Sequence, residues 1–497
     1  MSSINTNVPS MIAQRVLRNQ NAAMVVSLER LATGLRINRG KDDPAGLIAS
    51  ENLRSEKKAI SGAISNAQRA EQVINVAEGG LQEIASLLVE LKGLVGQSAN
   101  EAGLSAEEKD ANQLQVDSIL QTIDRLANVT TFQGTKLLNG NFDYTTTGVT
   151  GALLDDVSIN ATRLANDATL TVTVAMAVSA QTGGVFLSTG TTYVDPGGGG
   201  ALTIEITGNE GIQQFTFASG VAQTDIINAI NSFKDAMGVS AAISRGAAGG
   251  TANSNRVELR SVGYGADSFV NVKELAAPTG LDFIFASAGA PGSSLASLKD
   301  AGVDPTLLIN GQNATTRGLD GRVSTDGFDV SVTVVGTSLL NTTGGSTIFT
   351  ITGGGADFNL SPDVNLAGLV SIGIESVATG NLGKGGVGVI SSLKSGGDQN
   401  VVNGDLTLAQ KIVDEAVKQI ASLRGRLGAF QKYTIGSTIR SLSIALENTA
   451  AAESSIRDTD FAAETAILTR QQILSQAAIQ TLAIANAQPQ SILALLG

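Results

Sequence analysis

One apolar stripe constrains this chain more than any other feature. Leu53, Ile60, Ala63, Ala67, Ala70, Ile74, Ala77, Leu81, Ile84, Leu88, Leu91 and Val95 recur at heptad spacing, with Glu56 the one polar interruption. That is the a/d seam of a coiled coil. At 1.5 Å per residue, it predicts a helix roughly 60 Å long. Such a helix cannot stand alone. Burying its seam contributes on the order of 15–20 kcal/mol before chain entropy is counted, and that gain requires partner helices. Gly79, Gly80, Gly93 and Gly96 weaken intrinsic helicity, so packing must hold the helix together.

Partners exist elsewhere in the chain. Ser105 followed by Glu108 reads as a capping box, opening a second helix whose stripe is Val116, Ile119, Ile123 and Leu126. Its return after a short link suggests an antiparallel neighbour to the first rod. Near the other end, Val413, Ala416, Ile420, Leu423, Leu427 and Phe430 form a seam. It slips near Tyr433–Gly436 and resumes through Ile435, Ile439, Leu442, Leu446 and Thr449. The core of this helical layer is assigned to Ile74, Leu81, Ile84, Leu88, Leu91, Ile420, Leu423 and Leu427. The chain's two extremities are also amphipathic. Leu17, Met24, Leu28, Leu31 and Leu35 form one stripe, and beyond Arg457 a nearly charge-free segment carries Ile467, Leu474 and Leu482. These eight residues are expected to pack subunits together. Two such ends predict that the termini meet, and apolar stripes of this size on a surface imply assembly.

The middle is different. Of 57 glycines, 41 fall between Phe142 and Val401, a density hostile to long helices. Thr169–Val174 and Leu202–Thr207 alternate with period two, and the latter leads through Gly208–Gly211 into Phe215–Phe217 as a hairpin. Further strands are predicted at Val257–Leu259, Phe328–Val335 and Thr347–Ile351, one short helix at Thr224–Met237, and loops at Gly197–Gly200 and Gly353–Gly355. The fold class is therefore α+β multidomain. Both chain ends form a terminal coiled coil and a helical rod, with a β-rich insert over 151–399 that divides into subdomains at about 151–290 and 291–399.

Composition removes whole classes of function. With no His and no Cys, thiolate nucleophiles, His-dependent triads and nearly all zinc sites are out of reach, so no cofactor, metal or catalytic residue is assigned. A net charge of -12 with 16% charged residues disfavours nucleic acid and anionic membrane surfaces. No run approaches the roughly 18 apolar residues of a membrane span. Nor does the N-terminus carry the basic and apolar regions of a cleaved signal peptide. Asp42-Asp43 and Asp458/Asp460 read as helix caps or ion-pair partners of Arg30, Arg36 or Arg457, and Pro44 marks the junction between helical layers.

Certain motifs match a known family. Glu29-Arg30-Leu31-Ala32-Thr33-Gly34-Leu35-Arg36-Ile37-Asn38, Lys41–Gly46 and Thr131–Leu138 resemble the N-terminal signature of bacterial flagellins. Glu447–Ala462, Gln472–Ala477 and Pro489–Leu493 resemble the C-terminal signature. Asp225–Asn231, with Val239–Ala241 and Arg256–Leu259, is similar to the "hook IN" repeat of flagellin inserts and filament-cap proteins. The resemblance implies a structural filament subunit rather than an enzyme. It also implies a terminal coiled-coil domain from 1–44 with 455–497, and a helical rod from 45–150 with 400–454. Residues 151–399 would face solvent.

The same resemblance implies an extracellular homopolymer, exported without a cleaved signal, whose partners are an export chaperone, a filament cap and hook-junction proteins. Family members recognised by Toll-like receptor 5 carry a basic stretch where this chain has Leu88–Gln97. Glu90 stands at an arginine position between Val89 and Leu94, so weak or absent recognition is expected. A zinc peptidase in the insert, known in some relatives, is ruled out by the missing histidines.

Overall fold

The computed structural model describes residues 6–100, 103–164, 168–187, 193–194, 201–218, 220–245, 255–276, 284–285, 297–383 and 387–496. The expected Gly197–Gly200 loop lies outside them. The helices are α1 (Val8–Thr33), α2 (Pro44–Ser98), α3 (Ala106–Val129), α4 (Gln223–Asn231), α5 (Lys234–Met237), α6 (Leu406–Ala429), α7 (Gly436–Arg457) and α8 (Phe461–Leu496). Contacts divide the chain into two units, one of residues 1–72, 358–369 and 429–497 and one of 73–357 and 370–428. The division falls inside α2 and just after Gly428.

In the second unit, Ile74, Leu81, Ile84, Leu88 and Leu91 of α2 are wholly buried, as are Ile412, Val413 and Leu427 of α6, with Ile420 and Leu423 nearly so. Lys92 pairs with Asp414 at 2.6 Å and Glu78 with Arg424 at 2.8 Å. Partner numbers rise along one helix as they fall along the other, so the helices run antiparallel. α3 begins with the Ser105–Glu108 capping box, both reciprocal bonds present. Its buried face is Val116, Ile119, Leu120, Ile123 and Ala127, leaving Leu126 half-buried.

A polar stripe on α3 clamps the segment leading into α6. Gln113 donates to the Leu393 carbonyl at 2.9 Å and accepts from the Val401 amide at 2.8 Å. Asp124 accepts from the Thr379 amide and hydroxyl and from Lys394. Burial pushes the Asp124 carboxyl up, but these donors outweigh it and hold it below the ordinary carboxylate range. Asp117 is held low in the same way by Ser395 and Gln113.

The insert consists of two β lobes, nested rather than consecutive. In the first, strands 312–313, 306–309, 170–178, 346–354 and 144–147 form one sheet, and 315–317, 320–325, 328–334 and 154–162 another. Val172, Val174, Phe349, Ile159, Val330 and Val332 belong to the core they share. The second lobe lies between strands 170–178 and 306–309, which pair with each other, so its chain leaves and returns at one place. The bridge Gln181↔Val303 closes that neck. The second lobe's sheets are 239–245, 255–261, 184–187 and 284–285, and 297–301, 269–276, 202–207 and 212–217; Ile226 and Ile230 of α4 join its core. The expected split at about 290 is therefore corrected. Strand pairing across some 130 residues, invisible to local pattern, makes lobes of roughly 144–178 with 306–354 and 184–301.

Two local expectations also change. Thr224–Met237 is two helices broken at Ser232–Phe233. Strand 346–354 runs through Gly353 and Gly354, at φ 150° and 95°, with a register shift after Ile351. A Cβ on Gly354 would sit 2.1 Å from the Asp143 carbonyl oxygen, so a bulge and a close backbone approach, not a loop, require glycine there.

In the first unit, residues 44–72 of α2 run antiparallel to α7. Glu51 pairs with Arg457 at 2.9 Å, Lys57 with Glu453, and Glu71 accepts from Gln431 at 3.4 Å. Between α6 and α7, Phe430–Ile435 is a π-helix. After Leu427 the next fully buried residue is Ile435, where an unbroken 3-4 alternation would put 434. The seam slip in the sequence is one extra residue, absorbed by wide turns without ending the helix.

Candidate assembly surface

α1 and α8 lie antiparallel, in a register set by polar bonds. Asn7 Nδ2 donates to the Ala485 carbonyl at 2.7 Å, Ser10 Oγ to Asn486 Oδ1 at 2.7 Å, and Ser475 Oγ to Asn21 Oδ1 at 3.1 Å. Asn7 also caps α1 through the Ser10 amide at 3.0 Å. Residues turned from solvent follow an unbroken 3-4 alternation on each helix: Ser10, Ala13, Leu17, Gln20, Met24, Ser27 and Leu31 on α1, and Glu464, Leu468, Gln471, Ser475, Ala478, Leu482 and Ala485 on α8. Only the small or polar members Ser10, Ala13, Ser27, Glu464, Ser475, Ala478 and Ala485 are fully buried.

That redistributes the eight expected packing residues. Leu17, Met24, Leu31 and Leu482 occupy the seam inside the molecule, half-buried, and Leu35 is half-buried where it bridges to Asp458. Leu28 (47% exposed), Ile467 (41%) and Leu474 (39%) turn outward. They have company that the heptad reading missed. Met11, Ile12, Val16 and Val25 on α1, and Ile473, Ile479 and Ile484 on α8, are all exposed. Pro9, Ile12, Val16, Leu474 and Ala477 line a groove of about 490 Å³ between the two helices. The fully buried seam positions are small or polar, the leucines and Met24 that share the seam are only half-buried, and other large aliphatic side chains face outward.

The connections at the other end of the pair are rigidly capped. Gly34 ends α1 at φ 74°, its carbonyl accepting from Thr459 N at 2.9 Å, and Arg36 N donates to the Arg457 carbonyl at 2.7 Å. Asp42 accepts from the Arg39 and Asn38 amides, and these bonds, foremost that from Arg39, hold its carboxyl below the usual range. Asp43 accepts from Gly46 N at 2.9 Å, beside Pro44 at the start of α2, and Asp460 caps α8 through Ala462 and Ala463. Asp458 accepts from Ser454 Oγ at 2.5 Å. The arginines expected to pair with these aspartates go elsewhere: Arg30 to Glu464, Arg36 to the Ile456 carbonyl and Arg457 to Glu51.

On α2, Val89 (63% exposed) and Glu90 face solvent, whereas Leu94 is buried at 7% and so offers no side chain to a receptor. Among the described residues, no helix is long and apolar enough to cross a membrane, and no group of three His, Cys, Asp or Glu could hold a metal ion.

Residues 4–143 match the family described as "Bacterial flagellin N-terminal helical region" and residues 410–496 that described as "Bacterial flagellin C-terminal helical region". The chain is similar to flagellin B of Vibrio anguillarum, 27% identical over 100% of this chain and 99% of that protein. It is also similar to the flagellar filament 33 kDa core protein of Treponema phagedenis, 41% identical over 28% of this chain and 48% of the other. Among solved structures, flagellar hook associated protein-3 of Legionella pneumophila aligns over 82% of this chain and 98% of its own at 12% identity, with a TM-score of 0.30. That likeness is too distant to argue from.

Proposed function

The chain belongs to the bacterial flagellins, structural subunits of the flagellar filament, and we propose that its two terminal helices drive homopolymerisation. One observation carries the reading. The fully buried positions between α1 and α8 are small or polar, with Leu17, Met24, Leu31, Leu468 and Leu482 half-buried among them, while Met11, Val25, Ile473 and Ile484 stay in water. Removing about 25 cal/mol per Å² of apolar surface from water is a gain this arrangement leaves for neighbouring subunits.

Residues 1–44 and 455–497 form the assembling terminal domain, 45–150 and 400–454 the helical layer that supports it, and 151–399 the outer surface of an extracellular filament. Ile74, Leu81, Ile84, Leu88, Leu91, Ile420, Leu423 and Leu427 serve as the core of that helical layer. The partners are other copies of this chain, an export chaperone, the filament cap and hook-junction proteins, and the role is structural rather than catalytic. Exposed Glu90 beside Val89 opposes Toll-like receptor 5 recognition.

The test is deletion of 1–44 or of 455–497 from the purified chain, followed by electron microscopy of seeded assembly. Full-length protein elongates into filaments and either truncation stays soluble; a truncated chain that elongates under the same conditions refutes the assignment.

A further inference from the structure

A polar cavity opens where the two β lobes and α6 come together. It holds about 540 Å³, the size of a small-molecule site. Tyr264 and Asp267 line it from a turn of the second lobe, Arg317 and Asp320 from a turn of the first, and Glu415 and Lys418 from α6.

The two turns are held in place by groups of their own. Asp304 Oδ1 accepts from Ala266 N at 3.1 Å on one turn and from Gly318 N at 2.8 Å on the other. Gly265 and Gly318, at φ 91° and 65°, meet backbone to backbone: a Cβ on Gly265 would lie 2.6 Å from Gly318 Cα. A Cβ on Gly336 would lie 2.4 Å from the Tyr264 ring, so glycine there gives the ring its seat. The polar groups of the cavity thus stand on turns fixed in advance, which lowers the cost of binding.

Charge decides among ligand classes. Arg317 is bonded to Asp267 at 2.6 Å, and Lys418 pairs with Glu415 at 3.4 Å. Both cations are matched already. Asp320, whose Oδ1 accepts from Thr333 Oγ1 at 2.6 Å, leaves three carboxylates against two cations. An anion would meet that excess with no unpaired cation to hold it, and a cation would lie against Arg317 and Lys418. A zwitterion needs two unpaired ions of opposite sign. An apolar ligand would strip water from five charged side chains. An uncharged polyol escapes all of these costs. Each hydroxyl donates to a carboxylate lone pair and accepts from a guanidinium or ammonium N–H, with both ion pairs left intact. Tyr264, half-buried where it lines the cavity, adds apolar ring surface for the C–H groups of a sugar and a phenolic hydroxyl for its polar ones.

We propose that this cavity binds a neutral saccharide unit. Asp267, Asp320 and Glu415 accept from its hydroxyls, Arg317 and Lys418 donate to them, and Tyr264 covers its less polar face. All of these residues belong to one chain, so binding is measured on the monomer and does not depend on assembly.

The chain has four tyrosines, so 3-fluorotyrosine labelling of the full-length monomer gives a fluorine spectrum in which Tyr264→Phe identifies one resonance. The probes are glucose, galactose, mannose and N-acetylglucosamine, each free and as a neoglycoprotein. At least one is expected to move the Tyr264 resonance saturably. Asp267→Asn/Arg317→Gln and, on the other wall, Glu415→Gln/Lys418→Gln each remove an ion pair without leaving a charge alone. Either should raise the dissociation constant at least tenfold at an unchanged melting temperature. Should one double variant melt early, the other carries the comparison. Binding of the free sugar and its conjugate with equal strength supports a soluble ligand, and binding of the conjugate alone supports a surface glycan. Four sugars that leave Tyr264 unmoved in both forms overturn the site, as does affinity within twofold of wild type in the double variants. A saturable shift with phosphate, spermidine or glycine betaine but with no sugar overturns the assignment of a neutral ligand.

Discussion

The surroundings of Asp143 work against its charge, and Asp143→Asn should therefore stabilise the first β lobe. Its Oδ1 accepts from Tyr144 N at 2.8 Å, and the side chain sits where burial, and then the charge of Glu375, push its pKa from 3.8 up to about 6. Arg426 opposes this, but it also lies 3.6 Å from Glu375 and donates to the Gly373 carbonyl at 3.0 Å. The folded chain binds the proton more tightly than the unfolded one. Stability therefore rises as pH falls from about 6 toward 3.8, and the penalty is fully present above 6.

The gap between those two values corresponds to about 3 kcal/mol at ~1.4 kcal/mol per decade. Solvent still reaches part of the group, so screening reduces the usable figure to about 1–2 kcal/mol. Asparagine keeps the acceptor for Tyr144 N and removes the charge. Thermal melts at pH 7.5 should place the variant about 2–5 °C above wild type, with the difference vanishing near pH 4. Amide exchange on strand 144–147 should slow in parallel. An advantage that is absent at pH 7.5, or unchanged at pH 4, would falsify the reasoning.

Four further outcomes are expected. Asp117 and Asp124 are held low, so their contribution is present above the unfolded value and is lost as pH falls through the folded one; Asp124→Asn should remove its share of that acid-side loss, visible as earlier exchange around Thr379 and Lys394 at neutral pH. Leu88→Ala, at a wholly buried site, should cost about 2–5 kcal/mol in a denaturant titration. Gly354→Ala should be at least as damaging as about 1–3 kcal/mol of backbone strain, because its Cβ also meets the Asp143 carbonyl. Ile473→Ser with Ile484→Ser should abolish filament elongation while leaving the monomer's melt unmoved, since both side chains are more than half exposed in the free chain; a matching fall in monomer stability would count against the outward assignment.

How far the sequence could be read depended on what each segment packs against. From Ile60 to Val95 the burial of α2 follows the apolar spacing residue by residue, because every partner lies within one molecule. The slip near Tyr433 was readable for the same reason, since a π-helix leaves a one-residue offset in the stripe. The nesting of the β lobes was not, because the pairing of 170–178 with 306–309 spans a whole inserted lobe and leaves no periodic trace. Nor was the α3 clamp: Gln113, Asp117 and Asp124 look like any solvated helix face until the segment 377–401 arrives.

The terminal pair is the instructive case. Scoring only apolar residues found a stripe through Leu17, Met24 and Leu31, but passed over Ser10, Ser27, Glu464 and Ser475, which are fully buried. Had small and polar residues at 3-4 spacing been counted, both seams would have been found, and Ile12, Val25, Ile473 and Ile479 would have stood out as the wrong residues for a solvent face. Two helices that fully bury small and polar residues while leaving isoleucines and valines in water mark where the folding of one chain stops being the relevant problem. The hydrophobic effect here acts between molecules, and polar bonds inside the pair fix the geometry that it acts upon.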